Sequence, residues 1–287
     1  MRPLWLFAIL VATTGCSLLV STSGLHDSES TEPDDAGLQT DGPSSTEDGA
    51  TDAIAQGDAQ QNGTSVYANA IRSDNPLAFW RLDETSGVIA RDDIGNAHPG
   101  AYVGAITHER GVFSGSTAAV FDGTSSAIDV GRFFAFTGKA PYSVEAWVKP
   151  AVVNAGVKWI LSRNQEDLAM NAGAGEGYEL YFGADYVLFQ RNHGTGDGFA
   201  QSGSIVANQW AYVVGTFDGS VNRIYVNGEL ADETGSSVSL TDPANSTLKW
   251  GNRANGAGPF VGSLDELAIY DVALAPERIT AHFNAAR

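Results

Sequence analysis

An all-β, two-sheet antiparallel sandwich is the fold class that the sequence predicts for residues 67–287, and three observations predict it. From Tyr142 to Pro150 the chain alternates Val144, Ala146 and Val148 with Ser143, Glu145, Trp147 and Lys149, a period of two that suits a strand and no helix face. Asp218-Gly219 and Asn227-Gly228 punctuate the segments that follow and supply the positive backbone angles that tight hairpins demand. Helical spacing is confined to the last dozen residues, where Pro276 opens a first turn and Ile279 and Phe283 share a face.

The elements follow in order. Strands are expected over 77–82, 118–121, 127–130, 142–150 and 159–163, then over 178–182 and 186–191 about a Gly183-Ala184-Asp185 turn. A meander occupies 210–217, 223–226 and 229–233, and strands over 247–250 and 263–270 precede the helix. About a dozen strands with Gly-rich turns indicate a sandwich. With no second linker the roughly 220 residues form one domain, long enough to bury about 70–75% of its unfolded surface.

The chain of 287 residues carries a formal charge of -18 and one cysteine. A single Cys excludes a disulfide framework and a thiolate zinc site, and the acidic balance opposes nucleic acid as a partner. The charge is uneven: residues 17–66 hold ten acids and no Lys or Arg. That segment, rich in Ser, Thr, Asp, Glu and Gly, has too few apolar residues to offset an ordering entropy of about 1–2 kcal/mol per residue. Residues 16–66 therefore read as an acidic tether, with a root-mean-square span of roughly 40 Å if it is a flexible coil.

Ahead of the tether, Arg2 precedes the apolar run Leu4 to Ala12 and then Thr13, Thr14, Gly15 and Cys16. The run is the length of a signal-peptide core, and residues 1–15 with Cys16 resemble a bacterial lipoprotein signal. That resemblance implies cleavage before Cys16 and its lipidation, although Thr13 stands where an aliphatic residue is usual. An ordinary secretory signal and an uncleaved anchor over 4–20 are the other readings. Each exports the domain to the cell envelope, and the first holds it to a membrane by lipid.

Four stretches together resemble the laminin G-like jelly-roll domains of the concanavalin A-like lectin/glucanase superfamily. They are Ala78-Phe-Trp-Arg-Leu-Asp-Glu-Thr-Ser-Gly87 with residues 92–100; Tyr142-Ser-Val-Glu-Ala-Trp-Val-Lys149; Gln209-Trp-Ala-Tyr-Val-Val-Gly-Thr-Phe-Asp-Gly219 with Ile224-Tyr-Val-Asn-Gly228; and Phe260-Val-Gly-Ser-Leu-Asp-Glu-Leu-Ala-Ile-Tyr270 with residues 273–277. Tyr212 departs from the His often found after that Trp. The resemblance implies two packed antiparallel sheets, and it leaves function to the residues.

The superfamily's glucanases set alternate carboxylates on one strand, with carboxyl groups about 5–5.5 Å apart for a retaining mechanism. No such run exists here: Glu145 has no acid two residues away, and Asp265 and Glu266 are adjacent, which sends them to opposite faces of a regular strand. No nucleophile elbow, zinc helix or phosphate loop is present, and the five histidines are scattered singly. The expectation is a binding protein and no enzyme.

Asp92, Asp93 and Asn96 form an oxygen-rich loop, and related jelly-roll modules can join such a loop to a carboxylate on a late strand, here Asp265, through a structural calcium ion. The other reading is a turn held by Asx hydrogen bonds. For a glycan the candidates are Arg191, Asn192, His193, Asp197 and Phe199 in one Gly-rich segment and Arg253, Asn255 and Phe260 in another, where amides and charges accompany an aromatic suited to a sugar face. Flexible connection is their alternative role. The expected function is non-catalytic binding of carbohydrate or another surface ligand by a lipid-anchored envelope protein. A structural or adhesive envelope protein that binds other proteins is the runner-up, and an atypical glycan-cleaving enzyme the third reading.

Overall fold

The computed structural model describes residues 66–166, 175–194, 196–242, 245–253 and 255–287. The leader over 1–15, Cys16 and the tether up to residue 65 lie outside the described residues. Sheet A contains β1 (Ala78–Trp80), β4 (Ile106–Arg110), β5 (Thr117–Asp122), β7 (Tyr142–Pro150), β12 (Ala211–Phe217), β13 (Val221–Val226), β14 (Glu229–Gly235) and β16 (Val261–Tyr270). Sheet B contains β2 (Ile89–Ala90), β3 (Gly100–Val103), β6 (Ala127–Gly131), β8 (Lys158–Glu166), β9 (Gly175–Phe182), β10 (Tyr186–Gly194), β11 (Gly196–Ser204) and β15 (Leu248–Trp250). Their orders are β14-β13-β12-β7-β16-β5-β4, with β1 added against β16, and β11-β10-β9-β8-β15-β6-β3-β2. Strands distant in sequence lie side by side, as in a jelly roll, and the expected two-sheet sandwich is what the chain forms.

Period-two alternation builds the core. Tyr142, Val144, Ala146 and Val148 of β7 face Tyr178, Leu180 and Phe182 of β9 and Val187 and Phe189 of β10 within one inter-sheet cluster. Trp80 and Trp250 are fully buried there, with ring centroids 6.0 Å apart. After β15 the chain turns through Gly251 at φ +79°, where an added Cβ would stand 2.2 Å from the Phe121 ring. Gly251→Ala is expected to cost on the order of 3 kcal/mol through backbone strain and overpacking, read as a lowered urea midpoint.

The outer face of sheet A is buried too, and two helices bury it. One, α1, spans residues 66–73 and was not foreseen; the other is α2 (Pro276–Ala285), as expected. Tyr67, Ala68 and Ile71 of α1 and Ile279 of α2 join Trp147, Tyr212, Val214, Tyr225 and Tyr270 in a second apolar cluster, and Phe283 stacks on Trp147 and Tyr212. At its centre the buried Glu145 carboxylate accepts the Tyr270 hydroxyl at 2.7 Å and the Tyr212 hydroxyl. The fully buried His282 sits between Glu145, at 3.1 Å, and Asp74 just beyond α1, at 2.6 Å. Arg278 reaches the same Asp74 at 2.9 Å.

Two expectations are corrected here. The 191–199 segment is no loop: its described residues lie in β10 and β11, which pair as neighbouring antiparallel strands and so give their backbone groups ladder partners. Asp265 and Glu266 do not oppose one another across β16. Glu266 takes φ 51° and the register slips between Asp265 and Ala268, a bulge that leaves both side chains between the core-facing Leu264 and Leu267. Burial raises both carboxyls, Glu266 to about 8 against the pull of Arg81, and Asp265 further through the nearby Glu266 charge.

Candidate functional site: the outer face of sheet B

With helices on sheet A, the outer face of sheet B is the broad face that no helix covers among the described residues. One row of side chains crosses it in register from edge to edge. Ile89 pairs with Ala101, Ala101 with Asp129, Asp129 with Lys249 and Lys249 with Ser162. Ser162 then pairs with Glu179, Glu179 with Gln190 and Gln190 with Phe199. Directly paired residues share a face, so eight strands contribute one side chain each to a line of ~34 Å at ~4.8 Å per strand. Both ends are exposed and apolar, at 45% for Ile89 and 43% for Phe199.

The middle of the row is charged and dry. Glu179 is 1% exposed and accepts Arg253 Nε at 2.7 Å, Arg253 Nη2 at 3.2 Å and the Ser162 hydroxyl at 2.9 Å. Burial pushes the Glu179 carboxyl up to about 7 against the Ser162 hydrogen bond, and burial pulls Arg253 down to about 10. A pair whose two members are both desolvated adds little stability, which makes this face the candidate site. Beside it, Trp159 and Tyr181 form a second paired row, with centroids 5.7 Å apart and the Arg253 guanidinium 4.6 Å over the Trp159 ring. Tyr181 donates to Gln190 at 2.5 Å. A third row runs from Asn164 through Gly177 to Asn192, where the buried Asn164 Nδ2 and Asn192 Oδ1 have no partner.

Of the residues expected to touch a glycan, Arg253, Asn192 and Phe199 belong to this face. Arg191 does not: it is fully buried beneath sheet B, 3.6 Å over the Phe217 ring, and donates to the Gly138 and Val238 carbonyls. Phe260 is likewise core, packed on Phe121 and Phe182. Both were misplaced because an aromatic or long cation at a strand end reads like one in a loop. His193 is exposed at the sheet end, 2.5 Å from Glu176. Asn255 is exposed and holds the Ala257 amide in its own turn, and the Asp197 side chain lies outside the described residues. Glu179, Ser162, Tyr181 and Gln190 were not anticipated, although Glu179 and Tyr181 stand on the polar face of a strand whose other face is Tyr178, Leu180 and Phe182.

The oxygen-rich loop has its own arrangement. Asp92 Oδ1 accepts the Phe79 and Ile94 amides, and its Oδ2 accepts that of His98. Asn96 is turned toward the Asp92 amide, and Asp265 Oδ2 accepts Val112 N at 2.8 Å, while Oδ1 has no partner. Beside them Arg81, in a cleft of about 410 Å³, reaches Asp83 at 2.7 Å and Glu266 at 3.5 Å. Among the described residues no three acidic, His or Cys side chains gather to hold an ion. As placed, Asp92 and Asp265 are bonded to backbone amides, and the Arg81 guanidinium reaches the late strand at Glu266.

No curated protein matches the sequence. Among solved structures, domain 4 of AbnA, a GH43 extracellular arabinanase from Geobacillus stearothermophilus, in complex with arabinotriose, is 21% identical at a TM-score of 0.55, covering 74% of this chain and 98% of that one. The binding domain of Paraclostridial Mosquitocidal Protein 1 is 15% identical at 0.59, covering 74% and 52%. A botulinum neurotoxin type C structure, whose cell entry is described as dependent on two ganglioside molecules, is 14% identical at 0.56, covering 76% and 53%. The chain spans about half of each toxin chain. These likenesses show the fold. Residues 122–280 match the Laminin_G_3 family model, and with more than half of its length so matched the chain belongs to this family of the concanavalin A-like lectin/glucanases superfamily.

Proposed function

We propose that this chain is a non-catalytic carbohydrate-binding protein of the cell envelope, exported and held through lipid on Cys16, with the outer face of sheet B as its binding surface. The observation that carries the reading is the in-register row centred on the Glu179–Arg253 pair, flanked by Tyr181, Gln190 and two buried amides, on the face left free by both helices. Amides and a desolvated ion pair bond hydroxyls, and the rings offer apolar faces. The arabinotriose complex of the AbnA domain supports sugar as the ligand class.

Carboxylate spacing favours binding over cleavage. The other acid in the row, Asp129, lies three strands from Glu179, ~14 Å away by strand spacing, whereas a glycosidase pair needs about 5–5.5 Å or 6.5–9.5 Å. Calcium has no part in the proposed contacts.

A glycan array run with the full chain, with calcium and with EDTA, tests this. Binding is expected in both arms and should fall more than about tenfold in Gln190→Ala and Tyr181→Ala at unchanged melting temperature. Retention of a protein partner after glycan removal, with no glycan bound, would favour the adhesive role instead. Mass spectrometry of the N-terminal peptide should find acyl chains on Cys16, and an unmodified Cys16 would remove the lipid anchor.

A further inference from the structure

Resting on the carbohydrate reading of sheet B, we infer that the ligand is an uncharged, linear polysaccharide laid across the strands and gripped in mid-chain. The charges on this face already answer one another. Arg253 pairs with Glu179 and Lys249 with Asp129, at 2.7 and 3.8 Å. A ligand carboxylate or sulfate could engage Arg253 fully only by drawing it from Glu179, which would be left buried and alone. A hydroxyl can bond both members of the pair without separating them.

The two unpartnered amide atoms point the same way. Asn164 Oδ1 already accepts the Glu176 amide, so its buried Nδ2 offers a proton, while Asn192 Oδ1 offers a lone pair from two strands away. Hydroxyl groups donate and accept, so a neutral sugar satisfies both, whereas an ionised acid group only accepts and cannot serve Asn192 Oδ1. The chain's charge of -18 adds long-range repulsion of polyanions.

The direction and length of the ligand follow from register. The row crosses the strands and ends at exposed apolar residues on both edges, Ile89 and Phe199, so among the described residues the row has no end wall against a chain that runs past it. A pyranose ring is about as long as the ~4.8 Å strand spacing, so the row spans roughly six or seven units of a linear chain.

Affinity electrophoresis and calorimetry of the full chain against linear arabinan, xylan and β-glucan, and against polygalacturonate and heparin, test the inference. At least one neutral polymer should bind, with Kd tightening about tenfold or more from trisaccharide to hexasaccharide and little change from about 50 to 500 mM NaCl. Asn192→Leu, which removes the Oδ1 acceptor, should weaken it roughly tenfold, and Phe199→Ser, at an exposed edge position that does not threaten folding, should shorten the length dependence. Polyanion binding lost in the same variants would overturn the inference while leaving the carbohydrate face intact, as would a monosaccharide that binds as tightly as the hexamer. Binding to neither class would overturn the inference and the carbohydrate reading together.

Discussion

Replacing Glu145 with Ala is expected to lower the unfolding free energy by about 3–5 kcal/mol, the cost of breaking a buried charged network by removing one partner. The carboxylate holds two tyrosine hydroxyls and one face of His282, all inside the cluster that glues α2 to sheet A. Burial and the Glu145 charge raise both phenols, so they remain donors that would lose their acceptor. Urea unfolding read by tryptophan fluorescence checks this; a loss below about 1 kcal/mol would mean that water or Asp74 takes over the role. Set against a typical domain stability of about 5–15 kcal/mol, the change could unfold much of the population in warm solution.

The same network fixes a pH dependence. Burial works against the His282 imidazolium, but Glu145 and Asp74 on either side outweigh it and raise the pKa above the ordinary histidine value. The folded state therefore holds this proton more tightly than the unfolded chain. Its stabilisation is complete below the unfolded histidine range and is lost as pH rises through the raised folded pKa. Protection factors of the α2 amides, taken relative to intrinsic exchange at each pH, should fall at alkaline pH, and His282→Leu should flatten that fall.

Arg253→Met is expected to abolish most ligand binding and to make stability fall more steeply with pH. Glu179 already titrates at about 7 in the folded chain, against about 4.3 for an unperturbed glutamate. The folded state binds its proton more tightly, so stability falls between those values as pH rises. Without the guanidinium the folded pKa climbs further and the loss continues above pH 7, reaching ~3 kcal/mol relative to the parent by pH 8–9 while the two match near pH 5. Equal stability of parent and variant across the range would show that solvent, and not Arg253, compensates Glu179. Glu179→Gln in the variant background should restore the alkaline stability without restoring binding.

The alternation of β7 was legible as a strand because Val144, Ala146 and Val148 mark its core face. Its other face was harder to interpret, since Glu145 and Trp147 look like solvent-side residues until α1 and α2 are placed over them. Eight residues of α1 carry too short a repeat to announce a helix. Arg191 read as a loop cation because buried guanidinium is rare, and the Phe217 ring with the Gly138 and Val238 carbonyls explains why β10 can turn it inward. The Asp265–Glu266 pair obeyed the rule of alternate faces until a left-handed residue interrupted it. The row on sheet B is the least local feature of all. Its eight members span residues 89 to 199 and 249 through pairings of distant strands, and no short window of sequence contains three of them.

Asp74, at the end of α1, is bonded to both Arg278 and His282 of α2, so the chain enters and leaves this domain on one side. The row on sheet B lies on the other. A second module fused after α2 is therefore expected to leave the row on sheet B clear.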